Sequence, residues 1–99
     1  MLIAISRTGV TIRLTEERWT HIIEQHAELA DLKMVVLETV SQAERVFAGN
    51  NGENLAVRQI EKGKWMVVVY RELETDGFVI TAFLTRRARS FERRRLLWS

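Results

Sequence analysis

"LAVRQIEKGKWMVVVYRELETDGFVITAFLT", residues 55–85, decides the fold. Three apolar stretches rich in Val, Ile and Phe are separated by the turn sequences EKGK and LETDG, the pattern of an antiparallel meander. A two-residue Lys62-Gly63 turn pairs Glu61 with Lys64, and hence Arg58 with Val67. A three-residue TDG loop with Gly77 in the left-handed position pairs Glu74 with Phe78 and Arg71 with Thr81. Alternation then gives one face Val57, Met66, Val68, Tyr70, Ile80, Ala82 and Leu84. The other collects Arg58, Val67, Val69, Arg71, Thr81, Phe83 and Thr85. The first face is almost wholly apolar and is expected to meet helices. A two-residue Asp76-Gly77 turn would instead set Arg71 among aliphatic side chains, where an unpaired guanidinium is costly, so the first register is preferred.

Upstream, residues 1–15 ("MLIAISRTGVTIRLT") read as a hairpin turning at Thr8-Gly9. Thr15 is placed to cap a helix whose first turn carries Glu16 and Glu17, and which runs to about Ala27. Residues 30–40 ("ADLKMVVLETV") read as a second helix with Leu32, Val35, Val36, Thr39 and Val40 along one stripe. "SQAE" from Ser41 has capping-box spacing and predicts a third short helical turn, followed by the loop "AGNNGEN". The fold class is α+β: an N-terminal hairpin and two helices packed on one face of an antiparallel β-meander sheet.

The 99 residues are 46% apolar, enough for one core. No Cys is present, which excludes disulfides and thiolate chemistry and fits a reducing, cytoplasmic setting. "MLIAISR" lacks the pattern of a secretory signal, and the longest apolar run, "WMVVVY", is far short of a membrane span. No membrane partner is therefore expected; a homo-oligomer remains open.

Charge is uneven. Residues 1–85 hold nine basic and twelve acidic side chains, whereas residues 86–99 ("RRARSFERRRLLWS") hold six Arg and one Glu. The chain divides on this basis into a domain, 1–85, and an Arg-rich tail, 86–99, that points to an anionic partner. The tail reads as a cationic arm on RNA phosphates, as a helix with Phe91, Arg95 and Trp98 on one side, or as a solvated terminus.

Both histidines lie in "RWTHIIEQHAEL", residues 18–29. On a helix a five-residue step turns about 140°, so His26 falls in the apolar stripe with Trp19, Ile22 and Ile23, and His21 falls among solvent-side charges. Helical metal pairs need spacings of three or four, so no metal site and no cofactor are expected.

"IRLTEERWTHIIEQHAEL", a short helix, and then "WMVVVYRELETDGFVITAFLT" together resemble small proteins of the barnase–EndoU–colicin–RelE-like nuclease superfamily. The motifs are an R-W-x-H-I-x-x-x-H-P-E opening and a G-F-x-I-T-A-x-x-T closing strand, spanning about residues 12–86. Ala27 stands where the family usually has Pro, which lets the helix continue. The resemblance implies a RelE/barnase-like fold, metal-independent endoribonuclease activity, RNA as substrate, and a toxin role silenced by an antitoxin protein. It carries over to His26, Arg71, Thr81 and Thr85, with His21 at the earlier histidine. The chemistry of the reaction then assigns His26 as general acid or base, adds Arg58 to Arg71 on the transition-state charge, and sets Thr81 and Thr85 on the phosphate. His21 would lie against bound RNA, and the charge of the tail adds Arg86, Arg87 and Arg89 as RNA contacts. His26 and the two strand guanidiniums are expected to converge on one phosphate-sized hollow. The alternative is a non-catalytic RNA- or protein-binding module on the same fold. Without the resemblance, His26 reads as a packed core histidine, and Arg58 and Arg71 as solvent-facing or acid-paired strand residues.

Overall fold

Small polar residues close the first hairpin. Ser6 N–H donates to the Val10 carbonyl at 2.8 Å, and Gly9, at φ 88°, donates to the Ser6 carbonyl at 2.9 Å. This turn joins β1 (Leu2–Ile5) to β2 (Thr11–Leu14) in the computed structural model, which describes all of residues 1–99. The Thr15 hydroxyl then accepts from Arg18 N–H at 3.1 Å and starts α1 (Glu16–Gln25). Trp19 and Ile22 are its buried anchors.

α1 stops two residues short of the expected end. His26 is its C-cap, at φ −133° and ψ 68°, and a 3₁₀ turn over Ala27–Leu29 follows. The helix ends although Ala27, not Pro, follows His26, and Leu29 in the 3₁₀ turn is fully buried. α2 (Lys33–Ser41) buries Val36, Leu37, Thr39 and Val40. The Thr39 hydroxyl is satisfied inside the core by donating to the Val35 carbonyl at 2.8 Å.

The third helical turn expected from Ser41 is not formed; β3 (Arg45–Ala48) takes its place. The Glu44 carboxylate that a capping box needs instead accepts Gln59 N–H at 3.0 Å, and Glu44 N–H donates to the Val57 carbonyl at 2.9 Å. Pairing with β4 (Asn54–Glu61) outweighs the local helix signal.

The meander is present as β4, β5 (Lys64–Glu72) and β6 (Asp76–Thr85). Glu61 pairs with Lys64 as expected, but Ile60 is an unpaired bulge residue, so Val57 faces Val67 and Arg58 faces Met66. That one-residue offset exchanges the faces expected for Val57 and Arg58. Gly77 is not left-handed but lies within β6, opposite Glu72. A Cβ there would overlap the Arg71 carbonyl oxygen and crowd Ile12, so Gly77 allows β2, β6 and β5 to close together. Val69 therefore pairs with Thr81, two residues from the expected register, and Ile80 forms a second bulge. The slip of two keeps Thr81, Phe83 and Thr85 on the face of Val67 and Val69. Beyond the Ile80 bulge the slip is three, so that Arg71 faces Phe78 and Val79 takes a place in the helix-side core.

The sheet is mixed, not purely antiparallel. Its seven strands run β1-β2-β6-β5-β4-β3-β7, with β2 and β6 parallel. The seventh strand, β7 (Leu96–Trp98), comes from the Arg-rich segment, which is neither a free arm nor an α-helix. Residues Ala88–Arg93 form a 3₁₀ segment, and β7 then pairs with β3.

Both faces carry an apolar cluster. α1 and α2 meet the face holding Met66, Val68, Tyr70, Val79 and Ala82. On the opposite face Phe47, Leu55, Val57 and Val67 form a smaller core, where Phe91 stacks on Phe47 at 6.3 Å between ring centroids. Arg7, in the β1–β2 turn, reaches the far edge strand. Its guanidinium lies 4.5 Å from the Trp98 ring centroid, and its Nε donates to the Ala43 carbonyl at 3.0 Å.

Candidate functional site: the cleft between α1 and β6

β2 pairs with β6 only at Asp76, Gly77 and Phe78. Beyond Phe78 the outer edge of β6 carries no strand, and α1 lies beside it instead. The gap is an open cleft of about 750 Å³ lined by Thr15, Glu17, Arg18, His21, Ile22, Gln25, His26, Ile80 and Thr81.

Both imidazoles line this one cleft, contrary to the opposite sides expected from helical geometry. The helical angle does not apply to His26, because its backbone has already left α1. The ring swings toward the β6 edge and lies 6.3 Å from Phe83. His26 keeps 31% of its side-chain surface exposed and His21 keeps 59%, so both can meet a ligand. Each Nδ1 faces a carboxylate: His21 with Glu24 at 3.9 Å, and His26 with Glu28 at 4.0 Å. These distances are too long for hydrogen bonds, so neither ring is tied to its carboxylate.

The cation in the cleft is Arg18. Its guanidinium makes no ion pair or hydrogen bond within the chain, and the Thr81 hydroxyl at the opposite wall is also without a protein partner. Arg18, Glu17 and Gln25 join the cleft without having been expected there. The available signal was the spacing of Arg18, His21 and Gln25, which share one helix face with Ile22.

Other expected site residues lie elsewhere. Arg58 is on the helix side, donating to Glu38 of α2 at 3.3 Å. Arg71 donates to the Asn51 carbonyl at 3.0 Å, in the loop before β4. That loop flanks β5 on the side away from β6, so the guanidinium turns from the cleft. Gly52, at φ 84°, lies against it, and a Cβ there would come within 3.2 Å of Arg71 Nη1. In the same loop Glu53 accepts Asn51 N–H at 2.7 Å, and this backbone bond, aided by Arg71 and Arg94, holds its carboxyl below the usual range. Thr85 is at the other end of β6, where its hydroxyl accepts Arg87 N–H at 3.0 Å. The expected meeting of His26 with Arg58 and Arg71 does not occur.

Arg86, Arg87 and Arg89 line a second hollow with Arg45, Trp65 and Ser90. No three His, Asp or Glu side chains cluster in a way that could hold a metal ion. No helix is long and apolar enough to cross a membrane. No family model, curated protein or solved structure matches this chain.

Proposed function

We propose that the chain is an endoribonuclease of the barnase–EndoU–colicin–RelE-like kind, cutting RNA by attack of a ribose 2′-OH on the adjacent phosphorus without a metal ion. The observation that carries this reading is the presence of His21, His26, Arg18 and Thr81 on one open cleft. The reaction needs a base for the 2′-hydroxyl, an acid for the departing 5′-oxygen and a cation for the phosphorane. The two imidazoles supply the first two roles. Arg18 supplies the cation, in place of Arg58 and Arg71, and the Thr81 hydroxyl donates to a phosphate oxygen. A toxin role, with an antitoxin covering the cleft, belongs to the same reading.

The test is incubation of purified protein with single-stranded RNA in EDTA. Fragments ending in 2′,3′-cyclic phosphate, absent when the ribose at the cut carries no 2′-hydroxyl, support the reading. Intact RNA under these conditions, with the protein folded, overturns it and leaves a binding module. Growth arrest on induced expression, relieved by His26→Ala, supports the toxin role; unimpaired growth removes it.

A further inference from the structure

The six arginines of residues 86–99 are the largest concentration of charge in the chain, and three of them gather at one place. We propose that the hollow formed by Arg86, Arg87, Arg89, Arg45, Trp65 and Ser90 is a non-catalytic subsite for single-stranded RNA, holding a nucleotide that flanks the bond cut in the α1–β6 cleft. The proposal rests on the RNA-cleaving reading for its substrate and adds a second place of contact.

The hollow has a volume of about 600 Å³. Arg86, Arg87 and Arg89 make no side-chain ion pair or hydrogen bond within the chain. The one carboxylate lining the hollow, Glu92, lies 3.8 Å from Arg45 and leaves the other three guanidiniums unpaired. Unpaired guanidiniums around a half-buried indole match the two parts of a nucleotide. The cations meet phosphate, and the Trp65 face stacks a base. An acidic peptide would use the charges and leave the indole idle.

The arginines are held on a fixed turn. Thr85 Oγ1 accepts Arg87 N–H at 3.0 Å, the Ser90 hydroxyl donates to the Arg87 carbonyl at 2.8 Å, and Ala88 is buried beneath. The hollow is also aligned with the cleft. Thr81, Phe83 and Thr85 share one face of β6 and cover about 13 Å at strand rise. Thr81 lines the cleft, Phe83 lies beside His26, and Thr85 pairs with Trp65. A strand laid along this row would pass from the imidazoles to the indole.

The test uses the full chain carrying His26→Ala, so that RNA is bound without being cut, with a fluorescein-labelled oligouridylate as probe over a range of salt. Adding Arg86→Ala and Arg87→Ala is expected to weaken binding at least tenfold. It should also lower the slope of log affinity against log salt by about 1.4, from about 0.7 for each single-strand phosphate no longer neutralised. Trp65→Ala should weaken binding with the slope unchanged, and Trp65→Phe should restore most of it. Unchanged affinity and slope in the double arginine variant overturn the proposal, as does binding of oligoglutamate but not oligouridylate. If the arginine variants lose binding while the wild-type chain cuts no RNA, the subsite stands and the cleavage reading falls. If RNA is cut and the arginine variants bind as wild type, the reverse holds.

Discussion

The His26 ring stands 6.3 Å from Phe83, tilted by 34°, although Phe83 belongs to the sheet face opposite the helices. The contact exists because β2 leaves β6 after Phe78 and α1 ends at Gln25, so the imidazole comes around an uncovered strand edge. Phe83→Ala removes the ring that borders His26. The expected cost is about 2 kcal/mol in urea unfolding, below the range for a fully buried Phe because Phe83 is only half-buried. A fall in RNA cleavage larger than the unfolded fraction explains would show that the ring also positions the imidazole.

Arg58 and Arg71 separate the sequence expectation from the structure. Arg58→Ala breaks a partly exposed pair with Glu38 and should change stability by less than about 1 kcal/mol, with cleavage unaffected. Arg71→Ala frees the Asn51 carbonyl and loosens the loop before β4, so about 1 kcal/mol of stability should be lost with cleavage retained. Arg18→Ala should abolish cleavage at no cost to folding. Loss of cleavage in the Arg71 variant and its retention in the Arg18 variant would reverse the two assignments.

Tyr70 gives a pH dependence with a definite sign. Burial pushes its phenol up to about 12, Glu72 adds to the rise, and a hydrogen bond with Asn54 opposes it. Its folded pKa exceeds the unfolded value near 10, so this contribution is fully present below pH 10 and is lost as pH rises toward 12. The loss is on the order of 2–3 kcal/mol. Thermal unfolding of wild type and Tyr70→Phe at pH 8 and pH 11.5 measures it. Wild type should lose more stability than the variant between the two, and equal losses would contradict the burial account.

Trp98 joins the two ends of the sheet. It packs partly against the helix-side core and receives the Arg7 guanidinium. Trp98→Ala should cost about 3 kcal/mol, and Arg7→Ala about 1 kcal/mol. If the contact couples the two edges, the double variant should cost less than the sum of the singles, as a thermodynamic cycle would show.

The elements legible in the sequence were those set by local chemistry. The Thr8-Gly9 hairpin, the Thr15 cap, and the Lys62-Gly63 turn each depend on a few neighbouring residues. The face of Arg71 was also legible, because β5 alternates without a break from Met66, Val68 and Tyr70 on one side to Val67 and Val69 on the other. Arg58 was misplaced because the bulge at Ile60 adds one residue, and that bulge answers packing against the helix-side core, a long-range matter. The same holds for β3, where Glu44 is taken by β4, and for β7, which pairs with a strand from the middle of the chain. In the cleft, His26 and Thr81 were named from the resemblance. Their meeting with His21 and Arg18 depends on where α1 stops, which helical periodicity does not encode.

The most direct measurement is the pH dependence of kcat/KM for RNA cleavage by wild type, His21→Ala and His26→Ala, in EDTA. Two imidazoles acting as acid and base give wild type a bell-shaped profile, and each single variant should lose at least tenfold in rate and one limb of the bell. Profiles that keep both limbs and the wild-type rate after either substitution would contradict the account.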